Sequence, residues 1–274
     1  MTTAATRIDA LHHRYRDDTL PAPQAWNDTL ALIHAHRSVR QYLPDDVSDE
    51  TLRVLVSAAQ SAATSSNLQV WSVVAVRDPE RKARLAELAN GQRHIVQAPV
   101  LLVWTADFAR IRELANERGI ALDGADYLES SYVGFIDAAL AAQNAVLAAE
   151  SLGLGTVYIG ALRNRPEEVA AELGLPPHVF ATFGLVVGHP DPAEGGRVKP
   201  RLPQQAVLHH ETYALPGQRD HVDTYEQRIA EFYAEENLPH SWTDRVIDRL
   251  AGPETLNGRH RLREALQNQG FPLL

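Results

Sequence analysis

Three short clusters carry most of the chemistry open to this chain. His36-Arg37-Ser38-Val39-Arg40 sets two guanidiniums three residues apart with a hydroxyl between them. That is a set of charge-assisted donors for a phosphate, although two arginines beside a helix end also serve simply to offset the helix dipole. Thr64-Ser65-Ser66-Asn67-Leu68-Gln69 offers hydroxyls and amides suited to a polar ring edge or a ribityl chain, and equally to a plain turn. Lys199-Pro200-Arg201 holds two cations on a proline-stiffened backbone, which reads as an anion clamp or as a solvated basic loop. What the three share is the means to hold an anionic cofactor.

Other chemistries are closed. The chain contains no cysteine, so disulfides, thiol nucleophiles, Cys-ligated zinc and iron–sulfur clusters are excluded. His12-His13, His34 with His36, and His209-His210-Glu211 lack the H-E-x-x-H spacing, and no metal site is expected. There is no G-x-x-x-x-G-K-[ST] loop and no G-x-S-x-G elbow. Gly153-x-Gly155 precedes a strand instead of joining a strand to a helix, so a dinucleotide-binding fingerprint fails in context. Asp and Glu total 35 against 26 Lys and Arg, a net charge of −9, which argues against a nucleic-acid partner. No apolar run long enough to span a bilayer stands out, and the mixed charges of residues 1–20 do not read as a secretory signal. A cytoplasmic protein without membrane partners is expected.

The elements that must position these clusters follow from periodicity. With 274 residues, 45% of them hydrophobic and 22% charged, there is ample material for a core. Helical spacing runs from Trp26 toward His36, and again after Ser48 through Leu52, Leu55, Val56 and Ala59. Trp71 to Val76 and Pro99 to Thr105 read as strands, separated by a helix from Pro79 that stops by Gly91. Tyr132 to Leu152 is a helix with seven alanines between Ala138 and Ala149 and few polar residues, namely Asp137, Gln143, Asn144 and Glu150. An all-round apolar helix belongs in the centre of a domain or a dimer interface. Thr156 to Ile159 and Val179 to Val187 read as strands around a helix at Pro166 to Leu173. Two further helices follow near 223–236 and 242–250. Three segments are expected: an N-terminal extension (1–24), a main domain (25–215) and a C-terminal helical segment (216–274).

Taken in order, six motifs resemble the nitroreductase superfamily, in particular its oxygen-insensitive NADPH nitroreductase and NADPH–flavin oxidoreductase group. They are His36 to Arg40; Ser65-Ser66-Asn67-Leu68-Gln69; Gly91-Gln92-Arg93-His94; Ala142-Gln143-Asn144 through Gly155; Val157 to Asn164; and Lys199 to Pro203. The resemblance implies an α+β fold with a central, mostly antiparallel sheet flanked by helices, and FMN bound at a homodimer interface. It implies that Arg37, Ser38 and Arg40 meet the FMN phosphate, with His36 beside it and Arg201 completing the clamp. Lys199 would lie near the pyrimidine side of the flavin, and Ser65, Ser66, Gln69 and Gln92 along the ring and ribityl chain. The segment Tyr158-Ile159-Gly160-Ala161-Leu162 would face the ring, a backbone N–H near Gly160 or Ala161 directed at N5. NADPH or NADH would be the co-substrate in a ping-pong cycle, and nitroaromatics, quinones or flavins the acceptors. No catalytic side chain is then required, because FMN carries the chemistry.

Two departures from the family pattern bear on specificity. Relatives carry arginines between the two C-terminal helices to hold the 2′-phosphate of NADPH. Here that stretch is Ala234-Glu235-Glu236-Asn237-Leu238-Pro239-His240, which repels a dianion and weakens discrimination for NADPH. Asn67 stands where an aromatic ring often covers the flavin, which opens the pocket. The competing reading is a flavin-binding carrier or sensor without turnover.

Overall fold

The computed structural model describes residues 4–274, with side chains from Arg7 onward. In chain order its helices are α1 (Ala4–Tyr15), α2 (Asp28–Ala35), α3 (Asp49–Gln60), α4 (Pro79–Leu88), α5 (Arg93–Gln97), α6 (Ala109–Glu117), α7 (Leu128–Ser151), α8 (Pro166–Leu173), α9 (Gln218–Ala234), α10 (Trp242–Leu250) and α11 (Leu262–Asn268). The strands are β1 (Trp71–Val76), β2 (Val100–Asp107), β3 (Gly155–Ile159) and β4 (Val179–Gly188). They form one antiparallel sheet in the order β1-β2-β4-β3. The fold is α+β, as expected.

β2 shows why its sequence lacks alternation. Leu101 and Val103 enter a core with α4, α5 and α8, while Val100, Leu102 and Trp104 enter another with α3 and α7. Side chains alternate along a strand, so a sheet covered on both faces needs apolar residues at every position. Gly184 of β4 permits this layering, since a Cβ there would lie 2.9 Å from Leu101 Cδ1 and 3.0 Å from Leu162 Cδ1. A third cluster ties the C-terminal residues Ala265, Leu266 and Phe271 to Phe108 and Phe180.

The alanine helix α7 is buried on one side only. Ala138, Ala141, Ala142, Ala145 and Ala149 pack under the sheet, whereas Tyr132, Ile136 and Leu140 are exposed. By length and composition α7 alone among the described residues is apolar enough to cross a membrane. Its alanine face is nevertheless core, and it carries the buried carboxylate of Asp137.

The chain divides into two compact units. One comprises residues 38–195 with 256–274, and contains the whole sheet. The other comprises residues up to Arg37 with 196–255. In this second unit α9 and α10 pack through Tyr225, Ile229, Phe232 and Trp242. Asp17, just after α1, is paired with Arg228 of α9 at 2.6 Å.

Candidate functional site

In the sheet unit the site begins at the edge strand β3. Val39 N donates to Thr156 O at 2.9 Å, and Ser38 bridges Thr156 in parallel. Burial of Val39 in the core turns its neighbours Ser38 and Arg40 outward, where both are exposed. Gly155 makes this approach possible, since any Cβ there would lie within 2.9 Å of three Val39 carbons. Arg40 N donates to Glu194 Oε1 at 2.6 Å. His94 stands nearby, its pKa held below the ordinary histidine value by burial and then by the Arg40 charge. Its Nε2 is buried and makes no hydrogen bond. Gln92 caps α5 through its backbone only, leaving a half-buried side-chain amide without a capping role.

Where β3 ends, Gly160 to Asn164 form a 3-10 turn with no side-chain cap. The first N–H groups of such a turn have no acceptor within it, which leaves those of Gly160 and Ala161 as donors. Beneath them, Arg163 donates to Thr182 O at 2.5 Å, and its Nη2 lies 3.2 Å from where a Gly160 Cβ would sit. The side chains of Ile159 and Leu162 are fully buried in the core. These two residues therefore have only backbone to offer a ligand. Tyr158 is partly exposed and directs its hydroxyl to Gln143 Oε1 at 3.4 Å. Burial, and then the Glu150 carboxylate, raise the Tyr158 pKa well above that of an ordinary phenol.

The polar residues of α7 have partners that periodicity did not reveal. Asp137 is 1% exposed, and its Oδ1 accepts from Ser65 N at 3.0 Å. Asn144 donates to Ala58 O at the end of α3. Asp137 thus fastens the loop that carries Ser65, Ser66 and Gln69, and Asn144 fastens the helix before it. That loop is conformationally costly: Ser66, Asn67 and Gln69 all have φ between 50° and 53°. Left-handed non-glycine residues are uncommon and cost about 1–3 kcal/mol each. Gln69 Nε2 donates to Asn67 Oδ1 at 3.1 Å, so the two amides brace one another.

The second unit holds His36, Arg37, Lys199 and Arg201, and the His36-to-Arg40 run therefore straddles the division between units. Lys199 Nζ donates to Tyr233 OH at 2.7 Å and lies 5.1 Å from that ring's centroid. Arg201 Nη1 donates to the carbonyls of Lys199 and Pro200. Arg37 lines a cavity of about 760 Å³ with His13, Arg16, Arg197 and Phe232. The acidic stretch that follows α9 is not bare: Glu235 pairs with Arg16 and Arg197, and Glu236 pairs with Arg197 at 3.0 Å. Repulsion of a phosphate there is weaker than the sequence of that stretch suggests, because two guanidiniums from distant segments share its charge. His240 stacks on Tyr233, and its pKa is lowered by burial and then by Arg245 and Lys199.

Comparison with known proteins bears on both units. Residues 33–189 match the Nitroreductase family and residues 199–274 its C-terminal domain. The FMN reductase [NAD(P)H] of Bacillus subtilis is 40% identical over 253 residues, covering 89% of this chain and 98% of that protein. The NADPH-flavin oxidoreductase of Vibrio harveyi is 37% identical over 229 residues, covering 82% and 92%. Among solved structures, B. megaterium NfrA2 superposes with a TM-score of 0.85 at 40% identity, over 91% of this chain and all of that one. The NADPH:FMN oxidoreductase of Vibrio harveyi complexed with NAD+ gives 0.80 at 35% identity, over 90% and 99%.

Proposed function

The chain belongs to the nitroreductase family, and on that premise we propose that it is an FMN-dependent NAD(P)H oxidoreductase of the nitroreductase and flavin-reductase type. The observation that carries the reading is the junction at β3, where outward-facing Ser38 and Arg40 run beside the strand that ends in the uncapped turn at Gly160 and Ala161. The donor set fits FMN: guanidiniums and hydroxyls for a phosphate, and backbone N–H groups for an electron-rich ring nitrogen. Bound FMN would supply two-electron hydride chemistry between a reduced nicotinamide and a small-molecule acceptor.

The chain's part is position and electrostatics. Arg37, Ser38, Arg40 and Arg201 hold the phosphate, with His36 beside it, and Lys199 places positive charge near the pyrimidine edge. Ser65, Ser66, Gln69 and Gln92 hydrogen-bond along the ring and ribityl chain. Gly160 and Ala161 donate backbone N–H groups to the ring, with Tyr158, Ile159 and Leu162 fixing that backbone. Tyr158 keeps its proton at any working pH, because its pKa is raised by burial. The exposed row Tyr132, Ile136 and Leu140 on α7 supports a homodimer buried through that face. The acceptors are small molecules of the nitroaromatic, quinone or flavin class.

An absorbance spectrum followed by anaerobic titration with NADH and with NADPH tests this reading. Purified protein should be yellow, and the nicotinamide should bleach it. A chromophore that stays oxidised favours the carrier or sensor, and protein that takes up no FMN at all overturns the assignment.

A further inference from the structure

We propose that Arg14 of α1 is a positioning residue for the flavin phosphate, acting through the backbone that carries His36, Arg37, Lys199 and Arg201. The inference rests on the function proposed above. Its observation is separate and lies within one compact unit.

Arg14 is 8% exposed. Its Nη2 donates to His34 O at 2.8 Å and to His36 O at 2.7 Å, while Nη1 donates to Lys199 O at 2.9 Å. In return, Arg201 N donates to Arg14 O at 3.0 Å. One residue thus fixes four backbone groups in two segments far apart in sequence. Bonds to His34 and His36 alone would be a helix cap, since α2 ends at Ala35 and leaves carbonyls unsatisfied. A helix cap has no use for the Lys199 carbonyl. That contact makes sense as a brace between two cation-bearing loops.

The brace acts on direction as well as place. Peptide units are planar, so fixing the His36 carbonyl also fixes the peptide plane from which Arg37 departs. Fixing the Lys199 carbonyl does the same for Pro200, whose ring locks φ, and the Arg201 N–H is held one residue later. Cations held in place before the ligand arrives lose less entropy on binding it. Positive charges gathered without a ligand repel one another, and a buried guanidinium bonded to carbonyls holds their backbones in place against that repulsion. α1 lies outside both family matches, which begin at residue 33 and at residue 199. Arg14 thus reaches the matched residues His34, His36 and Lys199 from outside them.

The test separates the phosphate from the ring. Apo-protein carrying Arg14→Gln, and separately Arg14→Lys, is titrated with FMN and with riboflavin by flavin fluorescence, and its melting temperature is measured. The Gln variant should bind FMN roughly 10-fold more weakly, the loss of about one charge-assisted contact, with a clearly smaller loss for riboflavin, which keeps the ring edge near Lys199 but lacks the phosphate. The Lys variant keeps a charge but not the fork, and should recover part of the loss. FMN affinity equal to wild type overturns the proposal, and so does an equal loss for FMN and riboflavin, which marks a merely structural role. Should the variants fail to fold, hydrogen exchange on the wild-type apo-protein decides. Addition of FMN should slow exchange in residues 8–16 more than addition of riboflavin does. Equal protection by both flavins, or none from either, overturns it. Wild-type protein that binds neither flavin would sink the proposed function itself, whereas wild-type binding with unaffected variants sinks only the brace.

Discussion

Gly155→Ala asks most directly whether the sheet edge builds the phosphate site. The new methyl would lie 2.7, 2.8 and 2.9 Å from Val39 Cγ2, Cβ and Cγ1, about 0.7 Å short of ordinary contact at the closest atom. Rotation about χ1 gives no relief, because Val39 Cβ is itself one of the three. The backbone of residues 38–40 must then retreat, and a shift of that size carries the 2.9 Å bond from Val39 N to Thr156 O beyond hydrogen-bonding range. Overpacking costs about 1–3 kcal/mol and the lost bond about 1 kcal/mol. If Ser38 and Arg40 lose one charge-assisted phosphate contact worth about 1.5–3 kcal/mol, the Kd for FMN rises roughly 10- to 150-fold. Fluorescence titration of apo-protein reads the affinity, and thermal melting reads the stability. Gly124→Ala is the control, with nothing within 4 Å of its Cβ. A Gly155→Ala protein that melts and binds FMN like wild type would refute the reasoning.

Three further outcomes are expected. Asp137→Ala removes the acceptor for Ser65 N and should loosen the left-handed loop at a cost of about 1–3 kcal/mol, seen as faster proteolysis within residues 64–69, with Asp137→Asn recovering most of the protection. Glu235→Gln removes the carboxylate shared by Arg16 and Arg197, so the ratio of kcat/KM for NADPH over NADH should rise several-fold as the two cations gain freedom to meet a phosphate; an unchanged ratio would show that the 2′-phosphate binds elsewhere. Burial and Arg40 hold the His94 pKa below its usual 6.5, so the folded state favours the neutral ring. That contribution to stability is full above pH 6.5 and is lost as pH falls through the folded-state value. Urea midpoints measured at neutral and mildly acid pH should therefore drop less in His94→Gln than in wild type.

Much of the scaffold is written locally. β1 occupies Trp71–Val76 and α8 occupies Pro166–Leu173, the bounds expected from the sequence. β2 extends two residues past the expected Thr105, because the ladder continues to Asp107 opposite Val179 after a register shift at Trp104. α5, α6 and α11 carry too short or too polar a pattern to stand out. α7 was legible as a helix but not in its burial: alanine spacing marks a close-packed face, and only the sheet shows that Tyr132, Ile136 and Leu140 lie on the other one. The candidate site residues were legible as donor chemistry. What fastens them was not.

The reason is one of range. A strand or a cap depends on neighbours a few residues away, whereas Arg14 reaches a carbonyl 185 positions on, and Arg16 reaches a carboxylate 219 positions on. In the sequence, residues 1–20 show mixed charges on an amphipathic stretch, the pattern of any solvated helix. The same separation undoes the argument from acidity at Glu235 and Glu236. A potential is summed over all charges in space, and cations from residues 16 and 197 stand within that sum although no local window includes both them and the carboxylates. Charge counted along a segment therefore ranks ligands only once the segment's partners are known. Here those partners turn an apparently repulsive stretch into a mixed-charge network, and the NADPH to NADH ratio of Glu235→Gln tests whether that network meets a phosphate.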